Sequence, residues 1–208
     1  MNKQKSLKIA FLLLFFFSLI LGVMYILSKK DKEVVSGPEI VSDSVKFSNE
    51  YLQVGNDNVF KYKSIDETVK ILEGGTGVVY LGFPECPWCQ RYVVYLNEVA
   101  KESGVENIYY TNILQDRKDN TEGYQKLVSI LDGYLLNDNE GNPRIFVPDI
   151  SIVVNGEIVG HDNETSVVTE EDGTPEEYWT EKRIEDLKLR LKGFFEKLGA
   201  GSCTSCEV

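Results

Sequence analysis

The longest apolar run of the chain lies near its start, where the twenty residues from Ile9 to Ser28 include no charged side chain. At about 1.5 Å per residue, a helix of this length reaches roughly 30 Å, the thickness of a bilayer core. The run is longer than the apolar region of most signal peptides, and no evident small-residue cleavage site follows it. We expect residues 1–30 to form an uncleaved signal anchor that spans the membrane through residues 9–28, with a cleaved signal as the alternative.

Strand-like and helix-like patterns alternate between residues 58 and 198. The predicted strands are 59–63, 77–83, 108–113, 144–154 and 157–160. The predicted helices run from Ser64 to Gly74, from the Cys86 region to about Ser103, over about 121–136, and from Thr174 to Leu198. This order predicts an α/β domain with three layers, in which a central mixed sheet lies between helices.

Two other segments have no sustained period. Residues 31–57 contain the breakers Ser36-Gly37-Pro38 and Gly55–Asn58, so we expect them to form a stalk between the anchor and the domain. Residues 199–208 are expected to form a flexible tail that contains a second cysteine pair, Cys203 and Cys206.

Local signals mark several boundaries. Ser64 with Glu67, and Thr174 with Glu177, match the capping box that begins many helices. Asn155-Gly156 is the strongest short hairpin signal in the chain.

The charge of the chain argues against two classes of partner. The net charge of the whole chain is −11. Residues 1–30 hold five lysines and no acidic residue, so the remainder carries 17 basic and 33 acidic residues, a net charge of −16. Nucleic acid and anionic lipid are therefore unfavourable partners, and the acidity is best explained as a solvated surface.

The candidate chemistry lies in the motif Cys86-Pro87-Trp88-Cys89, which joins a predicted strand to a predicted helix. Because backbone N–H groups and the helix dipole stabilise a thiolate at a helix N-terminus, Cys86 is the predicted nucleophile. Cys89, one turn further on, is the predicted resolving thiol. Pro87 favours the first helical turn, and Trp88 offers an apolar face to a substrate.

Two structural explanations compete with redox chemistry, namely a permanent disulfide and half of a metal site. Zinc sites with two such pairs usually place them close together, whereas Cys203 and Cys206 lie more than a hundred residues beyond Cys89. The pattern therefore favours thiol–disulfide exchange without a metal or an organic cofactor.

Residues 59–198 resemble the thioredoxin superfamily in the order of four features. These are the strand–Cys-Pro-Trp-Cys–helix unit, Val147-Pro148 before a strand, the Asn155-Gly156 hairpin and the final helix. More narrowly, the run from Gly82 to Cys89 after an anchor is similar to membrane-tethered thioredoxin-like proteins of Gram-positive bacteria, some of them described as bacteriocin transport accessory or maturation proteins. The resemblance implies that Pro148 is a cis-proline opposite the cysteines and that the Val147 backbone binds the substrate strand.

We make separate predictions for three other residues. Tyr80 occupies the position of the buried carboxylate of thioredoxins, so proton transfer to the resolving thiol needs water or another group. Glu85 directly precedes the nucleophile and is a candidate modulator of its pKa. His161 is the only histidine, and we expect it at the surface or in a turn.

Two hypotheses account for the second cysteine pair. Cys203 and Cys206 form either a terminal disulfide or a relay dithiol that a flexible tail holds near Cys86 at high effective concentration.

Taken together, the pattern indicates a single-pass membrane protein whose C-terminal domain is extracytoplasmic, where disulfides persist. We expect it to act on thiols or disulfides of exported proteins or peptides, with a membrane electron-transfer protein as a candidate redox partner. The alternative is a non-catalytic accessory module for export with a structural disulfide. The direction of electron transfer depends on the reduction potential, which the sequence does not specify.

Overall fold

A computed structural model of the chain describes residues 16–21, 23–24, 41–168 and 173–200. Residues 16–21 and 23–24 are helical, and no helix among the described residues is long and apolar enough to cross a membrane. Most of the predicted span 9–28 lies outside the described residues. The tail with Cys203 and Cys206 also lies outside them.

The centre of the unit that begins at Val41 is a mixed five-stranded sheet in the order β1-β3-β2-β6-β7. Its strands are β1 (Phe60–Tyr62), β2 (Gly77–Gly82), β3 (Ile108–Asn112), β6 (Asp149–Val154) and β7 (Glu157–Asp162). β1, β3 and β2 are parallel, whereas β6 pairs antiparallel with both β2 and β7. Two short strands, β4 (Leu136–Asn137) and β5 (Pro143–Arg144), pair separately. The predicted α/β class with a mixed central sheet is confirmed.

Seven α-helices accompany these strands in residues 41–168 and 173–200. They are α1 (Asp43–Glu50), α2 (Ile65–Gly74), α3 (Pro87–Glu102), α4 (Leu114–Asp119), α5 (Glu122–Leu131), α6 (Pro175–Tyr178) and α7 (Glu181–Ala200). Neighbouring strand residues point to opposite faces of a sheet. On one face, the Thr111 side chain of β3 forms a hydrogen bond with Thr68 of α2. On the other face, Tyr110 of β3 stacks on Tyr80, which also stacks on Tyr92 of α3. Helices therefore flank both faces.

The segment predicted as a stalk is partly folded against the sheet, so that prediction is wrong for residues 43–50. Ser42 caps α1 by accepting the Val45 N–H, and Phe47 is fully buried. The Phe47 ring stacks on Phe60 of β1 at a centroid distance of 3.8 Å. Sequence patterning missed this helix because it contributes only one buried side chain of its own to the core.

Two predicted elements are interrupted. The strand expected over 144–154 starts only at Asp149, since Pro148 before it has no N–H to donate to a neighbouring strand. The helix expected from Thr174 to Leu198 is divided into α6 and α7 at Trp179 and Thr180. The indole of Trp179 is buried against Tyr92 and Tyr95, which fixes the break.

Other local predictions are confirmed. Both reciprocal hydrogen bonds of a capping box are present between Ser64 and Glu67, and the same is true of Thr174 and Glu177. Asn155 and Gly156 turn the hairpin with φ of 51° and 80°. A Cβ on Gly156 would lie 2.5 Å from the Glu73 carbonyl oxygen, so this turn requires glycine for space as well as for conformation.

Candidate functional site

Both cysteines of the motif lie at the start of α3, as predicted. Cys86 is the N-cap residue, and its Sγ accepts the backbone N–H of Cys89 at 3.4 Å. Pro87 follows at the first helical position, where its missing N–H leaves no helical hydrogen bond unmade. Cys86 and Cys89 are free thiols, so the structure describes the reduced pair.

The two thiols differ in exposure and in acidity. Cys86 is 8% exposed, whereas Cys89 is fully buried. A hydrogen bond from the Cys89 side chain lowers the pKa of Cys86 to about 7, and backbone N–H groups act in the same direction against burial. Burial and the neighbouring Cys86 raise the pKa of Cys89 well above its ordinary value. Near neutral pH the pair therefore combines a reachable thiolate with a buried thiol.

A backbone edge faces the nucleophile. The Cys86 thiol donates to the Val147 carbonyl oxygen across 3.6 Å. The Val147–Pro148 peptide bond is cis, as the resemblance implied, and Pro148 is buried while Val147 is half-buried. The tertiary fold thus brings a loop 61 residues away in sequence into contact with Cys86.

Trp88 and Pro87 form the outer surface beside the pair. Pro87 is exposed and Trp88 is half-buried. The Trp88 ring meets the edge of Tyr178 in α6 at a centroid distance of 5.3 Å, and Arg91 forms an ion pair with Glu176 at 3.3 Å. Helix α6 therefore packs against the outer surface of the motif. The sequence did not indicate this contact, because the prediction merged α6 with α7.

Tyr80 lies behind the buried thiol. Its hydroxyl is buried and has no hydrogen-bond partner of normal geometry in the described part of the chain. Burial raises the pKa of Tyr80 well above its ordinary value, and the nearby Cys89 adds to the shift. A Cβ on Gly82 would lie 2.5 Å from this hydroxyl, so glycine at position 82 makes room for it. Glu85, the candidate modulator, is exposed, and solvent screens its charge.

Arg117 is a neighbour of the pair that the sequence did not reveal. Its guanidinium lies 4.7 Å from the centre of the Phe83 ring, and its Nη1 donates to the Ile145 carbonyl oxygen at 3.4 Å. After the hydrogen bonds from Cys89 and the backbone, the charge of Arg117 also lowers the pKa of Cys86. No local pattern could have found this residue, because it lies 31 positions after Cys86.

His161 is not a surface or turn residue, so that prediction is wrong. It lies in β7, where its Nδ1 is 3.1 Å from Ser151 Oγ and its Nε2 is 3.4 Å from Asp149 Oδ2. Burial raises the pKa of Asp149, and the nearby His161 ring opposes that shift. Ser151 and Asp149 are each 1% exposed, so this Ser–His–Asp cluster cannot meet a substrate and is a structural feature of the sheet.

The described residues contain no group of three or more His, Cys, Asp or Glu side chains that could hold a metal ion. The relay and terminal-disulfide readings of Cys203 and Cys206 concern residues outside that description.

Comparison with known proteins yields no match among protein-family models, curated proteins or solved structures.

Proposed function

We propose that this protein is a thiol–disulfide oxidoreductase with a thioredoxin-like domain. The observation that carries the proposal is the asymmetry of the pair. Cys86 is reachable, acidic and next to a cis-proline edge, whereas Cys89 is buried and stays protonated. A permanent structural disulfide would need none of these differences.

The first step joins protein and substrate. The Cys86 thiolate attacks one sulfur of a substrate disulfide, a Cys86–substrate bond forms, and the substrate disulfide breaks. The leaving substrate sulfur departs as a thiolate and takes a proton from solvent. An extended substrate can place its backbone beside Val147. The Val147 carbonyl oxygen then accepts a substrate N–H in place of the Cys86 thiol.

The second step releases the substrate. The Cys89 thiol loses its proton and attacks Cys86 Sγ, so the Cys86–Cys89 disulfide forms and the mixed disulfide breaks. Two electrons have passed from the cysteine pair to the substrate, which leaves as a dithiol. The reverse sequence oxidises a dithiol, and the reduction potential of the pair decides which direction dominates.

The cellular setting is part of the proposal. The apolar segment 9–28 supports a single-pass anchor, and disulfide chemistry supports an extracytoplasmic position for the C-terminal domain. Exported proteins or peptides would then be the substrates, and a membrane protein would supply or remove the electrons. A maturation or transport accessory role for an exported peptide is a specific form of the same activity.

Substitution of each cysteine tests the chemistry. We expect Cys86→Ser to abolish the reduction of insulin disulfides, because the nucleophile is lost. Cys89→Ala should instead accumulate covalent complexes between Cys86 and its substrates, because the resolving thiol is missing. These complexes can be detected on non-reducing gels.

A Cys86→Ser protein with full reductase activity would refute the proposal. If thiol trapping in cells showed that the pair never opens, the non-catalytic accessory module would be the better description. Measurement of the Cys86–Cys89 potential then separates a reductase from an oxidase or isomerase.

A further inference from the structure

A cavity of about 520 Å³ is lined by two arginines, Arg117 and Arg144, and the charge of Arg117 also acts on Cys86. Arg117 comes from α4 and Arg144 from β5, so two separate segments bring the cationic groups together. The amides of Asn120 and Asn142 and the ring of Tyr124 line the same space.

The cavity adjoins the surface on which the proposed function places the substrate. Arg117 donates to the Ile145 carbonyl oxygen, and Ile145 precedes by two residues the Val147 that contacts Cys86. The Arg117 guanidinium also covers the ring of Phe83, three residues before Cys86. A peptide held at Val147 therefore has neighbouring residues within reach of the cavity.

The charges in the cavity favour an anion. Within the described residues neither arginine forms an ion pair with a carboxylate, although the net charge of the chain is −11. One acidic residue, Asp138, also lines the cavity, and its Oδ1 accepts the N–H groups of Glu140 and Asn142 at 2.9 and 3.0 Å. These hydrogen bonds and the charge of Arg144 lower the pKa of Asp138, so one carboxylate faces two guanidinium groups and the lining keeps a net positive charge. Burial and then the charge of Arg144 lower the pKa of Arg117, so the two cations repel each other.

Hydrogen-bond donors are available as well. The Tyr124 hydroxyl accepts the N–H of Ile145 at 3.4 Å, which leaves its own O–H to donate into the cavity. Guanidinium groups match a carboxylate geometrically because they offer paired N–H donors. One carboxylate would thus offset the repulsion and use the donors.

We propose that the Arg117–Arg144 cavity binds an acidic side chain of the peptide substrate, so that the protein prefers cysteines with a nearby Glu or Asp. This specificity rests on the proposed oxidoreductase function. A protein that rejects anionic partners over most of its surface would in this way attract an acidic segment to its reactive edge.

Disulfide-linked fluorescent peptides test this proposal with the full-length protein in detergent. Three peptides differ only in the residues next to cysteine, which are Glu, Gln or Lys, and all have amidated C-termini. At low ionic strength we expect the Glu peptide to react about tenfold faster than the Gln peptide, because its carboxylate adds one charge-assisted hydrogen-bonded contact with the arginines. The Lys peptide should react most slowly, and added salt should reduce the difference.

The informative variant is Arg144→Gln, because Arg117 also influences Cys86. We expect the ratio of the Glu-peptide rate to the Gln-peptide rate to fall from about ten to about one in this variant, whatever change the substitution makes to the Gln-peptide rate itself. Arg91→Gln is the matched control, because Arg91 lies on α3 near the motif but is paired with Glu176. This control should keep the preference.

Equal rates for the Glu and Gln peptides in the wild-type protein would overturn the inference while leaving the oxidoreductase function intact. Retention of the preference in Arg144→Gln would also overturn it. If a fourth peptide, with Gln next to cysteine and a free C-terminal carboxylate, were the only one favoured, the acidic side chain would be the wrong ligand. If no peptide reacted faster with the wild-type protein than with Cys86→Ser, the proposed function itself would fail.

Discussion

At the scale of single residues, the chemistry depends on the environments of two sulfur atoms that are close in sequence. Cys86 has a pKa of about 7 because it accepts hydrogen bonds from Cys89 and the helix start. Cys89 lies against the sheet, where burial opposes its ionisation. The Tyr80 hydroxyl lies behind Cys89 and acts against the rise in the pKa of Cys89 that burial causes.

The pH dependence of Cys86 follows from its low pKa. The rate of alkylation depends on the thiolate, so we expect it to be half-maximal near pH 7, to reach a plateau about one pH unit higher and to fall about tenfold per pH unit well below pH 7. Iodoacetamide labelling of the reduced protein, with peptide mapping by mass spectrometry, measures this profile. Cys89 should stay unlabelled over the same range, and a Cys86 midpoint near 9 would contradict the assigned environment.

Tyr80→Phe should slow the second step of exchange. Burial is the main cause of the high pKa of Cys89, but the Tyr80 hydroxyl lowers that pKa, so its removal makes deprotonation harder. We expect the mixed disulfide to persist several-fold longer and its resolution to need a higher pH, while the alkylation profile of Cys86 is unchanged. Stopped-flow resolution of a preformed mixed disulfide measures the effect.

Tyr92→Phe is the control for this prediction. It removes a buried hydroxyl from the same aromatic stack, but that hydroxyl donates to Asp162 at 2.6 Å instead of facing the thiol. If both variants changed the resolution step equally, a general loss of packing would explain the result better than the Tyr80 hydroxyl.

At the scale of elements, two short helices determine the surroundings of the motif. Helix α1 is tied to α3 because the Gln90 side chain donates to the Glu50 carbonyl oxygen at 2.9 Å. Helix α6 contacts Trp88 through Tyr178, and the Glu164 side chain receives the Tyr178 hydroxyl at 2.7 Å. Neither helix has the length or periodicity that makes a helix easy to predict.

Phe47→Ala tests whether α1 belongs to the core. Removal of this fully buried ring leaves a cavity against Phe60, so we expect a loss of about 3–5 kcal/mol in the free energy of unfolding. Urea denaturation measures the change. Leu52→Ala is the control, because Leu52 is 80% exposed and should change stability by less than about 0.5 kcal/mol. A small effect of Phe47→Ala on the free energy of unfolding would contradict the conclusion that α1 is part of the core.

At the scale of the whole molecule, the compact unit starts at Val41, earlier than the domain boundary expected from the sequence. Residues 31–208 have a net charge of −16, which favours a solvated surface. The Arg117–Arg144 cavity differs from that general charge, and the proposed preference for acidic peptides depends on this difference.

Two truncated chains test the boundary. A chain that starts at residue 41 should fold and keep the redox activity of the Cys86–Cys89 pair, because α1 is retained. A chain that starts at residue 58 should be markedly less stable, because Phe60 and Tyr110 lose the packing of Phe47 and Tyr51. Circular dichroism melting and insulin reduction measure both properties. Equal stability of the two chains would contradict the placement of α1 in the core.

The sequence by itself determined the class of fold, most strand and helix positions, and the cysteine pair at the start of a helix. These features depend on local periodicity, capping and spacing, which neighbouring residues specify. Only the tertiary structure decided the contact of Cys86 with Val147, the position of Tyr80 against Cys89, the pairing of Arg117 with Arg144 and the burial of His161. Each depends on segments that are distant along the chain and meet only when the sheet has assembled.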